Sequence, residues 1–182
     1  MKTIRGICLG SSNSGKTSIL NHLQYGRYVL PPPTAGVDYT SIVIDDIRLQ
    51  IWDTSGSGRF HRVSMVFAKE VSIVIYVFDI SCNISLQCAI NYHDEILQQP
   101  NIPQNFFIIG NKKDLQKRAS NIQPTLKKYP SLIYYETDSS SLENLKEVFN
   151  DIVVKSYDLA SMPRLTIERN NNNRSNECCA IL

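Results

Sequence analysis

Residues 10–17 read GSSNSGKT and fit the pattern G-x-x-x-x-G-K-[ST]. In that pattern the glycines let successive backbone N–H groups point inward. Here the amides from Asn13 through Ser14, Gly15, Lys16 and Thr17 would wrap a chain of phosphates, with Ser18 in the turn that follows. A helix opening at this point adds its positive end to the cradle. Lys16 would reach the β- and γ-phosphates, and the Thr17 hydroxyl would bind Mg²⁺. The bland alternative is a Gly- and Ser-rich turn that caps a helix. The predicted strand before the motif and the Lys-Thr pair that closes it argue against that alternative.

A second stretch, IIGNKKDL at 108–115, places Asn111 and Asp114 three apart just after an apolar run. In open α/β sheets ligands bind beyond the carboxyl ends of the strands. A carboxylate there can accept from two neighbouring N–H groups of guanine, a donor pair that adenine lacks. Alone, a four-residue NKxD also fits a polar turn; downstream of a phosphate loop it is specific. A phosphate-loop kinase of small metabolites would need an arginine-bearing lid and would have no use for NKKD.

These groups need a scaffold that brings strand ends together. Short apolar runs at 3–9, 40–44, 47–52, 73–79, 106–110 and 132–135 alternate with helix-like stretches at 16–25, 85–98, 121–128 and 142–158. The runs at 73–79 and 106–110 are almost continuously apolar, as expected of central parallel strands covered on both faces. In the last helix Leu142, Leu145, Val148, Phe149, Ile152 and Val153 recur at i, i+3 and i+4. Alternation of this kind predicts βαβ units and a mostly parallel sheet. The exception is 40–52, where Asp45-Asp46 leaves room only for an antiparallel hairpin.

The 182 residues suit one domain, with 42% hydrophobic and 20% charged residues. A net charge of +2 gives no argument for nucleic acid. No apolar run approaches the roughly 20 residues of a membrane helix, and MKTIRGICLG reads as no secretory leader. Five cysteines without a CxxC pair fit a reducing compartment, with Cys8, Cys82 and Cys88 expected as buried thiols. After about residue 160 a proline and four consecutive asparagines replace the apolar pattern, which predicts a flexible tail over 161–182 behind a domain at 1–160.

Taken in order, GSSNSGKT, PT at 33–34, DTSG at 53–56 and NKKD at 111–114 resemble a Ras-superfamily small GTPase over residues 1–160. The resemblance implies a nucleotide-binding α/β fold: a mostly parallel six-stranded sheet with one antiparallel strand and helices on both faces. It implies GTP or GDP with Mg²⁺ as the bound species. Thr34 would join Thr17 on Mg²⁺ and sense the γ-phosphate through its N–H, and Asp53 would hold the metal through water. The Gly56 N–H would meet the γ-phosphate. Asn111 and Asp114 would read guanine, with the Lys112 stem along the ring and Tyr28 beside it. The usual SAK element is replaced by DSS at 138–140, where Ser139 and Ser140 are the candidates for a backbone contact to the guanine oxygen. The missing lysine implies some loss of nucleotide affinity.

WDTSGSGRF at 52–60 is similar to the Rab form WDTAGQERF, and PTAGVDY resembles the Rab first switch with Ala35 in place of a larger apolar residue. The intervals from Lys16 to Thr34 and from Thr34 to Asp53 are shorter than in Rabs and match the Arf pattern. The myristoylated helix of Arf is not expected, because position 2 is Lys2. Pro31-Pro32-Pro33 predicts a stiff approach to Thr34. Cys179-Ala180-Ile181-Leu182 fits a prenylation signal, with Cys178 as a second lipid acceptor. The resemblance thus implies a lipid-anchored monomer on the cytoplasmic face of endomembranes, with a cytosolic pool. Its partners would be an exchange factor, a GTPase-activating protein, effectors, a prenyl transferase and escort or GDI-type chaperones. The family's water-orienting glutamine falls on Ser57, too short to do that work, so unaided hydrolysis is expected to be weak. His61 lies four positions on and is expected as a surface helix histidine. A non-cycling nucleotide-binding scaffold is the alternative.

Overall fold

The computed structural model describes residues 2–116 and 118–161, with side chains described as far as residue 157. The lipid acceptors expected at Cys178 and Cys179 lie outside the described residues. Six strands form one sheet in the order β2-β3-β1-β4-β5-β6. They are β1 (Lys2–Leu9), β2 (Val37–Ile44), β3 (Ile47–Thr54), β4 (Ile73–Asp79), β5 (Asn105–Asn111) and β6 (Leu132–Thr137). The β2–β3 pair is antiparallel and every other pair is parallel. The hairpin closes with Ile44 opposite Ile47, and Asp45 takes a φ of 50°, a conformation that Asp tolerates. The tight turn allows no crossover, which is why this pair alone runs antiparallel.

The near-continuous apolar runs form the middle of the sheet because both faces are covered. In β4, Ile73, Ile75 and Val77 face α1 (Lys16–Tyr25) and α5 (Leu142–Ser161), in a core with Leu20, Leu145, Phe149 and Ile152. The alternate residues Val74, Tyr76 and Phe78 face the other layer. That layer holds α2 (His61–Phe67), α3 (Asn83–Leu97) and the short α4 (Ile122–Leu126). The period of two along the strand sorts its side chains into the two cores. The apolar stripe of α5 is buried as its spacing predicts, from Leu145 to Val153.

Helix α2 is absent from the helix stretches read off the periodicity, because only Ser64 and Met65 of its seven residues are buried. A helix with so narrow a contact carries no clear 3.6-residue pattern. Strand β2 begins at Val37, three residues before the β-rich run, because pairing with Thr54 and Asp53 recruits Val37 and Asp38. Cys8 is buried as expected, whereas Cys82, which precedes the first turn of α3, and Cys88, within that helix, are only partly covered.

The packing predicts an asymmetry along α5. Phe149→Ala removes a ring that is 1% exposed and should cost about 3–5 kcal/mol. Val154→Ala, at a side chain 55% exposed, should change stability by less than about 0.5 kcal/mol. Urea denaturation of both variants checks this; equal losses would contradict the burial of the stripe.

Candidate nucleotide-binding site

The carboxyl ends of β1, β3, β4, β5 and β6 surround one cleft of about 670 Å³, a size ordinary for a small-molecule site. Its floor is the loop from Leu9 to Lys16. Asn13 takes a φ of 60° and Gly15 a φ of 96°, so the loop coils tightly before α1 starts. Asn13, Gly15, Lys16, Thr17 and Ser18 all line the cleft. Ser14 does not; it is buried beneath, and its hydroxyl has no hydrogen-bond partner.

Lys16 curls over its own loop, donating to the Gly10 carbonyl at 3.0 Å and the Ser11 carbonyl at 2.9 Å. Burial pushes its pKa down from the usual lysine value. Burial pushes the Asp53 carboxyl up, against the opposing pull of the Thr17 hydroxyl and the Lys16 charge. Each group is therefore a desolvated charge, and a polyanion with a divalent cation is what would compensate both.

Thr17, Thr34 and Asp53 come together from α1, the loop before β2, and β3. Thr17 donates to Asp53 Oδ2 at 2.5 Å and lies 2.8 Å from the Thr34 hydroxyl, which is itself 3.4 Å from the same carboxylate oxygen. The other oxygen, Asp53 Oδ1, is buried without a partner. Two hydroxyls and one carboxylate are hard oxygen donors that suit Mg²⁺, which keeps several waters and needs few protein ligands. Among the described residues no group of three His, Cys, Asp or Glu stands together to bind a softer metal. These residues fit the expected ion.

Gly56 presses on the phosphate loop. A Cβ there would lie 2.2 Å from the Ser12 nitrogen, so only glycine lets the two backbones meet. Ser57 sits just beyond, in extended conformation, with its N–H directed to the Ser55 hydroxyl at 3.3 Å. Ser12, Thr54 and Ser55 line the cleft and Ser57 does not. His61 is partly covered. It hydrogen-bonds Glu95 of α3 at 2.6 Å and packs on Tyr92, with ring centroids 4.8 Å apart.

At the far end, Tyr28, Lys112, Asp114, Asp138, Ser139 and Ser140 line the cleft. Lys112 is paired with Asp79 at 2.7 Å. Asn111 is fully buried and does not reach the cleft. Its Nδ2 donates to the Ser14 carbonyl at 2.9 Å, and its Oδ1 accepts from the Thr137 hydroxyl at 3.1 Å. Both N–H and hydroxyl of Ser140 are engaged by Asp138, at 2.8 and 2.7 Å. Ser12 and Ser55 join the lining without a signal in the sequence, because a serine in a loop gives none by type or spacing.

The arrangement of these groups has relatives. The sequence profile of the Ras family matches residues 5–158. The chain is 31% identical over 159 residues to Ras-related protein Rab-7a of Paramecium octaurelia, covering 80% of this chain and 77% of that protein. It is 29% identical over 160 residues to Ras-related protein Rab-7B of Dictyostelium discoideum, covering 83% and 81%. Ras-related protein Rab-30 of Homo sapiens is 26% identical over 159 residues, covering 82% and 77%. These relatives are Rab proteins, and the chain belongs to the Ras family as a divergent, Rab-like small GTPase.

Proposed function

We propose that the protein is a GTP/GDP switch that recruits effectors to membranes in vesicle trafficking and hydrolyses GTP slowly when alone. The observation that carries this reading is the convergence of Thr17, Thr34 and Asp53. Thr34 belongs to the loop before β2, so a ligand gripped by Thr17 and Asp53 also fixes that loop. The Ser55 N–H donates to the Gly36 carbonyl at 2.7 Å, which ties the second mobile segment to the first. Loss of the γ-phosphate removes the partner for both, the usual logic of a GTPase switch.

In this reading the amides from Asn13 to Ser18 and the Lys16 ammonium hold the phosphates, and Thr17, Thr34 and Asp53 hold Mg²⁺. Mg²⁺ held by these residues would supply neutralisation of the charge on the phosphate oxygens. The Gly56 N–H faces the γ-phosphate. Asp114 accepts the paired N–H groups of guanine, with Lys112 and Tyr28 against the ring. Asn111 reads guanine beside Asp114, and its carboxamide also braces the Ser14 carbonyl. The Ser139 N–H is the loop amide left for the guanine oxygen, since that of Ser140 is engaged by Asp138.

Hydrolysis requires a water in line with the bond from the γ-phosphorus to the β–γ bridging oxygen. Water forms a new P–O bond, the bridging bond breaks, and GDP and phosphate leave. A side chain must orient that water. Ser57 is short and stands outside the cleft lining, which supports slow turnover. An activating partner that inserts an arginine can restore roughly 10³–10⁵ in rate.

For effectors, Tyr39, Trp52 and Phe67 form a ladder of rings across β2, β3 and α2, with centroids 5.2 and 4.8 Å apart. Tyr39 is 45% and nearby Val66 62% exposed, an apolar patch bounded by both switch segments. Membrane attachment rests on the sequence alone, through lipid at Cys178 and Cys179.

Two measurements test the reading. The purified protein should carry GTP or GDP, and single-turnover hydrolysis should be slow, with Ser57→Gln at least about tenfold faster. An ordinary Rab rate without a partner defeats the slow-GTPase proposal, and protein purified with no nucleotide supports the non-cycling scaffold. Removing Mg²⁺ with EDTA should speed GDP release by about tenfold or more. Asp53→Asn should already release GDP fast in Mg²⁺ and respond little to EDTA; an unchanged EDTA response counts against the metal assignment.

A further inference from the structure

Pro31, Pro32 and Pro33 lie between the end of α1 and Thr34, in the strap that runs from Gly26 to Gly36. Tyr28, Leu30, the three prolines and Thr34 all line the cleft. Among the described residues no backbone hydrogen bond engages 27–35. Val29 is 50% and Leu30 76% exposed. A segment with so few buried contacts opens at low cost.

Where hydrogen bonds are missing, the prolines supply stiffness. The ring locks φ at about −65°. A residue before proline is pushed into extended backbone. Leu30, Pro31 and Pro32 each precede a proline, so Leu30 to Pro33 form an extended rod of roughly 3 Å per residue. The freedom sits at the two ends of the strap. Gly26 takes a φ of 67° and Gly36 a φ of 88°, and a Cβ on either would meet nothing within 4 Å. The left-handed backbone, and no crowding, is what suits glycine there. The rod also joins the two ends of the cleft. Thr34 follows it directly, with its hydroxyl 2.8 Å from that of Thr17. Only Val29 separates it from Tyr28, at the base end.

We propose that residues 27–35 move as one stiff strap, hinged at Gly26 and Gly36, that makes or loses its metal-end and base-end contacts together. The proposal rests on the guanine-nucleotide reading of this cleft, in which Thr34 holds Mg²⁺ and Tyr28 lies beside the base. A flexible loop would let the Tyr28 ring stay on the base after Thr34 has left the metal. The proline rod removes that independence: a strap lifted at Thr34 carries Leu30 with it and draws Tyr28 away. Loss of the metal therefore loosens the base as well, and a partner that lifts either end of the strap loosens both.

Release of a fluorescent GDP, followed in Mg²⁺ and in EDTA, tests the coupling. The proteins are the parent, Tyr28→Ala, the triple variant Pro31→Gly, Pro32→Gly, Pro33→Gly, and the combination, with urea denaturation in parallel. In the parent background Tyr28→Ala should speed release about fivefold or more in Mg²⁺ and less than about twofold in EDTA, because loss of the metal has already drawn the ring away. In the triple variant the two ends move independently, so Tyr28→Ala should change release by the same factor in both solutions. If the glycine variant fails to fold, the three prolines replaced by alanine give the same comparison. A Tyr28→Ala effect that is equal in Mg²⁺ and EDTA in the parent background, or absent from both, overturns the coupling. A coupling that survives loss of the prolines overturns the rod as its cause. Both outcomes leave the guanine reading intact, whereas a parent that does not bind the fluorescent GDP overturns that reading itself.

Discussion

Asn111 ends β5 with no exposed surface, and its carboxamide joins the Ser14 carbonyl of the phosphate loop to the Thr137 hydroxyl at the end of β6. Three chain segments meet at this one group. An unpaired buried amide or carbonyl costs about 1–3 kcal/mol, so each segment is held to the others by a penalty as well as by a bond. The contact also dictates a residue type. A Cβ on Gly15 would stand 2.1 Å from Asn111 Nδ2, so the residue that opens α1 must be glycine. The shape of the loop before α1 is therefore tied to the ends of β5 and β6.

The charges follow from that geometry. Lys16 and Asp53 are both buried and are shifted by that burial in opposite directions. Lys16 is satisfied on two carbonyls, whereas Asp53 keeps one carboxylate oxygen without a partner. Asp79 shows the contrasting case nearby. Burial works against its charge, and hydrogen bonds from Lys112 and Ser81 prevail, holding it below the usual carboxylate range. That carboxylate is structural: it keeps the Lys112 stem along the cleft wall.

The segments around Thr34 and Gly56 rest on this framework. Gly56 lies against Ser12, Ser55 bonds Gly36, and His61 is paired with Glu95 on α3. The two switch segments are thus joined to each other and to the rigid layers at a few points. Most of α2 is exposed between those points. Few buried contacts mean a low cost of local opening, as an element that must move requires. Ser57 sits in the same stretch.

The sequence by itself determined the local grammar. GSSNSGKT and NKKD specify their loops because their glycines and polar types have few other uses. The apolar runs and the stripe of α5 specify strands and a helix, because periods of two and 3.6 are properties of a single segment. Only the tertiary structure decided what those residues touch. Asn111 reads in sequence as a base contact, and the fold adds bonds from its carboxamide to partners 97 and 26 residues away. Helix α2 and the partial exposure of Cys82 and Cys88 depend on what packs against them. Spacing along a chain carries the reach of one turn or one pleat. Contacts across a hundred residues arise only when the sheet brings its strand ends together.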